Sequence, residues 1–394
     1  MDLSLAELRD ASAPAGDTAA ASRPARRGVC CQQTCVPDYR VEFFAEVARL
    51  IPGFRVVAGT AWFDPSLALP SLTEPWFRPC ANRFLAGRKL LFQTGAFLDL
   101  LAAEVAVFEM NPRILSNWVL LALRRVLHRP SLVWGHFYGG RSQASLRFTR
   151  GRRLMVALAD GVAAYTETDR DRFQNHSGRL LAGALGNSCL ARRDCVPAHA
   201  SGPEPRDLLY VGRLIPEKKV DVALRAFSAA RDRGAQFGVF HVVGDGPCRT
   251  ELEALARDLG ADVVFHGRIT DPARLAELHA PCLASVSPGY VGLSAVQSLA
   301  RGIPVVLSRD EPNSPEVEVC REGETALFAA SATEGPWTES LVRLFAERDS
   351  WISRRAAISA RIAEAYTFES MARNFVDLVA KAAPTAHPNP EMAR

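Results

Sequence analysis

The chain has 394 residues, enough for two domains with a core in each. Its 48% hydrophobic and 23% charged content is that of an ordinary soluble globular protein, and 47 basic against 43 acidic residues leave only +4, too weak a balance for a nucleic-acid partner. Nine cysteines without paired Cys-x-x-Cys spacing argue against a disulfide or zinc framework and for the cytosol; no apolar run reaches the ~18 residues of a membrane span, and the N-terminus lacks a basic-then-apolar signal.

Residues 1–26, rich in Ala, Ser and Pro, read as a disordered leader. A first strand is expected at 28–31, a loop at 32–40, a helix at 41–50 with Phe43, Phe44, Val47 and Leu50 toward a core, and a strand at 54–58. The proline-punctuated stretch 62–88 reads as a long connection or as an insertion near a substrate. Strands follow at 90–92 and 105–108, the latter leading into Asn111-Pro112-Arg113, then an apolar helix at 115–127. Strand 131–135 leaves His136 at its carboxyl edge, ahead of Gly139 and Gly140. An isolated histidine is usually structural, but that edge of an α/β sheet is where ligands bind. Helix 141–158 carries Arg141, Arg147, Arg150, Arg152 and Arg153, either a solvated face or a docking face for an anionic membrane. Strand 161–165 precedes a helix with Asp169 and Asp171 in its first turn, and 191–206 reads as a linker.

The second half repeats one unit. Strand 208–211 breaks at Gly212, two cations follow at Arg213 and Lys218, and a helix runs from Glu217 with Val220, Leu224 and Phe227 inward until Gly234. Strand 237–243 breaks at Gly244-Asp245-Gly246, and strands at 263–265, 283–286 and 304–307 follow, with a further glycine turn at Gly292-Leu293. Strands alternating with helices imply a parallel sheet that presents helix N-termini to a phosphate. Helices are expected at 338–348, 353–365 and 369–383, with a frayed tail at 384–394.

Gly212-Arg213-Leu214 with Glu217-Lys218, Val243-Gly244-Asp245-Gly246-Pro247, Gly292-Leu293, Ala300-x-Gly302-x-Pro304-Val305-Val306, and Glu318 with Gly323-x-Thr325 occur in order. This succession resembles the nucleotide-binding domain of the retaining GT-B glycosyltransferases, of the family 4 type found in bacterial polysaccharide and glycolipid synthesis. The resemblance implies an α/β fold of two facing Rossmann-like domains with a cleft between them. It would place an acceptor-side domain at 27–190, a nucleotide-sugar-binding domain at 207–366, and a helix at 367–383 returning to the first domain.

It also implies roles. His136 would lie near the donor sugar and its leaving phosphate. Arg213 and Lys218 would neutralise, in place of a metal, the diphosphate charge that grows as the glycosidic bond breaks. Gly212, Gly292, Leu293, Ser294 and Glu318 would contact the donor, and Arg268 its base. The donor diphosphate would itself take the acceptor proton, so that no dedicated protein base and no cofactor beyond the nucleotide sugar is needed. Two glutamates eight residues apart are usual in the family around the glycine turn. Here Gly289 and Gln297 occupy those places. Gly289 has only backbone to offer the sugar; the Gln297 amide suits ribose hydroxyls, or closes a helix capping box with Ser294. Glu316 and Glu318 stand where a carboxylate reaches the cleft. Asp169-Arg170-Asp171 is formally the metal signature of the other major glycosyltransferase fold, but it sits at a helix start.

The expected function is therefore a retaining, metal-independent transfer from a nucleotide-diphosphate sugar to a glycan, glycolipid or small glycosylated metabolite, in the cytoplasm or at the inner membrane face. A catalytically silent nucleotide-binding paralogue or partner subunit is the alternative that the missing carboxylates support. An epimerase of the same architecture is a third.

Overall fold

A computed structural model describes residues 28–64, 69–137, 148–176, 180–198 and 204–383. The expected leader and tail, Gly139, Gly140, Arg141 and Arg147 lie outside the described residues.

The first half runs β1 (Cys30–Gln33), α1 (Asp38–Leu50), β2 (Arg55–Ala58), β3 (Phe77–Pro79), β4 (Ala81–Leu85), β5 (Leu90–Thr94), α2 (Phe97–Ala102), β6 (Ala106–Glu109), α3 (Leu115–Val126), β7 (Ser131–Trp134), α4 (Arg150–Leu158), β8 (Gly161–Ala164), α5 (Glu167–His176) and β9 (Leu181–Ala184). Seven strands form a parallel sheet in the order β3-β2-β1-β6-β7-β8-β9. The central strands are short apolar runs buried on both faces, as a parallel sheet between helices requires.

The second half runs β10 (Asp207–Val211), α6 (Val220–Asp232), β11 (Phe240–Val243), α7 (Arg249–Asp258), β12 (Val263–Gly267), α8 (Pro272–His279), β13 (Cys282–Ser287), α9 (Ser294–Ala300), β14 (Val305–Ser308), β15 (Ala326–Ala329), α10 (Glu334–Ala346), α11 (Arg348–Ser353), α12 (Arg355–Ala365) and α13 (Phe368–Ala382). Its six-stranded parallel sheet has the order β12-β11-β10-β13-β14-β15. The strand order reverses between β10 and β13, which creates a crevice beyond their carboxyl ends.

Three expectations change. The stretch 62–88 is not irregular throughout: it supplies the edge strand β3 and the first strand of the antiparallel β4–β5 hairpin. The hairpin turn holds Ala86 and Arg88 at φ 48 and 63, a left-handed conformation that these residue types do not signal. Helix α1 begins at Asp38, because Pro37 closes the preceding loop and Asp38 suits the first turn. Helix α6 begins at Val220 instead of Glu217: Pro216–Lys218 is a 3-10 turn, and Lys219 at φ 50 separates it from the helix.

Each sheet has its own core. The second is filled by Phe227, Trp337 and Trp351. The first is filled by Phe43, Phe44 and Trp134, and it receives the last helix: Phe375 of α13 lies 6.0 Å from Phe43 and 5.9 Å from Phe54. All nine cysteines are unpaired.

Candidate functional site

The glycine loops of the second sheet pack backbone on backbone. Gly212 donates its N–H to the Val243 carbonyl at 3.0 Å, and Leu214 donates to Asp245 at 2.9 Å. A Cβ on Gly244 would overlap the Gly212 carbonyl oxygen, and one on Gly246 that of Leu214, so neither position accepts a side chain. This contact fixes where the chain leaves β10 and where Arg213 emerges, exposed to solvent. Arg268 is exposed just beyond β12, after Gly267 has accepted the Gly244 N–H at 2.8 Å.

Lys218 rides on the 3-10 turn. Its carbonyl accepts the Gly289 N–H at 3.1 Å, and its ammonium donates to the Tyr290 carbonyl while lying 4.8 Å from that ring's centroid. Burial, and then the neighbouring Arg213 guanidinium, push the Lys218 pKa down to about 8. Arg213 thus stands near Lys218 beyond β10, where burial and this guanidinium disfavour the charge of Lys218.

Gly289 explains itself sterically. It is buried, and a Cβ there would overlap the Glu217 carbonyl oxygen and lie 2.8 Å from Lys218 Cα. The packing that places Lys218 excludes a side chain at position 289. The loop that continues through Gly292 is tied to the β14–β15 connection, with Val291 N–H donating to Asn313 Oδ1 at 2.9 Å. Helix α9 then starts at Ser294 with Leu293 at its N-cap and no side-chain capping bond, so Ser294 and Gln297 do not close a capping box. The Gln297 amide is half-buried and has no side-chain hydrogen bond among the described residues.

The opposite wall comes from the first sheet. Gly135 ends β7, and His136 follows with its ring 4.5 Å from that of Tyr165. Crowding within the cleft lowers the His136 pKa; the Glu316 carboxylate opposes this, and Arg152 and Arg40 reinforce it. Although the ring remains accessible to solvent, its neighbours come from both domains.

Glu316 belongs to the 3-10 turn Pro315–Val319 of the second domain and accepts a hydrogen bond from Asn187 Nδ2 of the first. Asn187 Oδ1 in turn accepts from Arg40, whose guanidinium also donates to the Ser188 carbonyl at 3.1 Å and lies 5.1–5.7 Å from the rings of Tyr39, Trp134 and Tyr165.

The structure engages Glu318 otherwise than as a donor contact. Its carboxylate accepts from the Glu167 and Thr168 N–H groups at 3.1 and 3.0 Å, from Thr168 Oγ1 and from Tyr366 Oη. It caps α5 of the other domain, where a negative charge is favoured, and so braces the two domains. In the Asp169-Arg170-Asp171 triplet, Asp169 is buried under the Thr166 cap while Asp171 pairs with Arg170 outside, so the two carboxylates do not converge. Arg40, Tyr165 and Tyr290 escaped sequence reading. A buried arginine inside an amphipathic helix and single tyrosines carry no spacing signal.

Residues 205–347 match the family described as Glycosyl transferases group 1. A GDP-mannose-dependent alpha-(1-6)-phosphatidylinositol dimannoside mannosyltransferase of Mycobacterium tuberculosis is 37% identical over 123 residues, covering 30% of this chain and 32% of that protein. A D-inositol 3-phosphate glycosyltransferase of Rhodococcus opacus is 30% identical over 249 residues, covering 58% of this chain and 54% of that protein. The chain therefore spans about a third of the one relative and about half of the other. Among solved structures, Anabaena HepE in complex with UDP superposes with a TM-score of 0.63 at 13% identity, covering 90% of this chain and 99% of that one. Sucrose-phosphate synthase from Thermosynechococcus elongatus gives 0.62 at 18% identity, with 90% and 98% coverage. The fold is the two-domain GT-B arrangement of Rossmann-like sheets.

Proposed function

We propose that this chain is a glycosyltransferase that moves a hexosyl group from a nucleoside diphosphate to an acceptor hydroxyl, with retention and without a metal ion. The observation that supports this reading is the proximity of Arg213 to the partly buried Lys218 ammonium beside the interlocked glycine loops. An anion would compensate the disfavoured charge of Lys218 beside Arg213, and the field of the two cations acts most strongly when the departing diphosphate gains charge. Gln297 is assigned to the ribose hydroxyls and Arg268 to the base. His136, at the opposing wall, is assigned to the sugar near the bond that breaks. The competing reading, a nucleotide-binding protein without turnover, is favoured by Gly289, where backbone packing leaves no room for a carboxylate.

For the acceptor we propose a polyol phosphate or glycolipid, the class named in the relatives above. On the acceptor side, the β1–α1 and β2–β3 connections line an open pocket of about 340 Å³ that includes Val36, Thr60 and Glu74. No helix among the described residues is long and apolar enough to cross a membrane. Helix α4 exposes Arg150, Arg153 and Leu154 beside α3, which exposes Leu123 and Val126. We assign this mixed basic and apolar face to an anionic membrane surface. Sedimentation with vesicles should show binding to anionic but not to neutral lipid, lost in an Arg150→Glu, Arg153→Glu double variant; equal sedimentation of that variant removes the assignment.

The activity is tested by following release of UDP and GDP from their hexose conjugates with inositol phosphate and phosphatidylinositol acceptors. Acceptor-dependent release with an α-linked product is expected. Tight diphosphate binding without any release would establish the silent reading. His136→Ala should leave diphosphate affinity intact and lower turnover roughly 10²-fold.

A further inference from the structure

We propose that Glu316 is the sugar-recognising carboxylate of this cleft, and that it selects neutral hexosyl groups and rejects hexuronosyl ones. The inference rests on the donor-site reading above.

Glu316 and Glu318 lie two residues apart on one 3-10 turn and make a useful contrast. Glu318 is the less buried, yet both its oxygens are taken by four hydrogen bonds that tie the domains together. That is a carboxylate satisfied in a structural task. Glu316 is only 4% exposed, yet one oxygen accepts a single bond from the neutral Asn187 amide, and the other has no hydrogen-bond partner among the described residues. Burying a carboxylate with one neutral donor costs free energy that a salt bridge or a full donor set would offset. The surrounding residues nonetheless hold it in place: Asn187 is oriented by Arg40, and Arg40 by aromatic rings and the Ser188 carbonyl. A polar group fixed this firmly with acceptor capacity left over is prepared for a donor that arrives.

The place defines the donor. The charge of Glu316 is felt by His136 on the opposite wall and by Tyr290, the residue that holds the Lys218 ammonium. Geometry ties the carboxylate to both sides: Ser314, two residues before it, donates its N–H to the Val291 carbonyl at 3.0 Å, next to the Tyr290 carbonyl that holds Lys218, and Asn187 of the first domain donates to Glu316 itself. In a nucleotide sugar, the group next to the diphosphate is the sugar, and its hydroxyls are donors. A carboxylate on that sugar would meet Glu316 as a like charge in a poorly solvated place.

Calorimetric titration of the full chain tests this, using UDP and GDP alone, the neutral conjugates UDP-glucose, UDP-N-acetylglucosamine and GDP-mannose, and UDP-glucuronate. The wild type should bind at least one neutral conjugate ten times or more tighter than the glucuronate. In Glu316→Gln the amide oxygen can keep the Asn187 bond, which leaves an N–H donor where an acceptor is needed. Diphosphate affinity should stay within twofold, neutral conjugates should lose tenfold or more, and discrimination against glucuronate should vanish. Unchanged conjugate affinity, or equal loss for diphosphate and conjugate, overturns the assignment. Should the variant fail to fold, equal wild-type affinity for neutral and glucuronate conjugates overturns it independently. Absence of any diphosphate binding removes the donor-site reading itself, whereas diphosphate binding without sugar discrimination removes only the role of Glu316.

Discussion

Lys218 carries a pKa of about 8 because burial and Arg213 both disfavour its charge. A diphosphate placed against the two cations favours the protonated amine and raises that value. The sign follows: below pH 8 the free protein already holds the proton, and affinity is flat. Above 8, binding must take up a proton, and affinity falls by up to tenfold per pH unit until the raised pKa of the complex is reached. Titrations near pH 8.5 in buffers of different ionisation enthalpy should show proton uptake on nucleotide binding, abolished in Lys218→Ala. Zero uptake in the wild type would place the diphosphate away from this ammonium. Both cations stood out in the sequence because they follow the glycine break after β10, although Lys218 lies in a 3-10 turn ahead of α6 and not in the helix itself. Glu316 and Asn187 were not paired in that reading, since their bond joins residues 129 apart in different domains and no local pattern encodes it.

At the scale of elements, the strand–glycine–helix units of the second half were readable because each couples a buried apolar run to a residue without a side chain. Gly244 and Gly246 show the physical reason, two loops whose backbones touch. The same reasoning makes Gly289 more than a lost carboxylate. Restoring the family residue by Gly289→Glu should not restore sugar contacts. It should displace the Pro216–Lys218 turn, weaken diphosphate binding and cost about 1–3 kcal/mol in stability by overpacking, measurable by denaturant unfolding. A stable Gly289→Glu variant with improved turnover would contradict the steric account. Strands β3 and β4 stayed hidden, because the former is three residues long and the latter turns into β5 through Ala86-Gly87-Arg88, where Ala86 and Arg88 adopt a left-handed conformation without being glycine. Strand β15, four residues beyond a glycine-bounded turn, was equally short of signal.

In the molecule as a whole, the two domains are held by contacts of different kinds. The Glu318 cap and the Arg40–Asn187–Glu316 chain are polar and lie at the seam, whereas α13 is apolar and enters the core of the first sheet. The residue pattern of α13 states that it packs and not against what; its return to the first domain was implied by the family resemblance alone. Phe375 is 1% exposed amid Phe43, Phe54 and Trp134. Phe375→Ala should cost about 3–5 kcal/mol, and the loss should appear in the unfolding of the first domain. Loss confined to the second domain would contradict the assignment of this helix.

The central claim is that Arg213 and Lys218 form the diphosphate seat of a donor cleft. Calorimetric titration of UDP and GDP into the wild-type chain and the Arg213→Ala and Lys218→Ala variants tests it most directly. The account predicts binding of at least one diphosphate by the wild type and a loss of roughly 10- to 100-fold in each variant, the worth of a charge-assisted hydrogen bond of about 1.5–3 kcal/mol. Binding that survives both substitutions unchanged would contradict it.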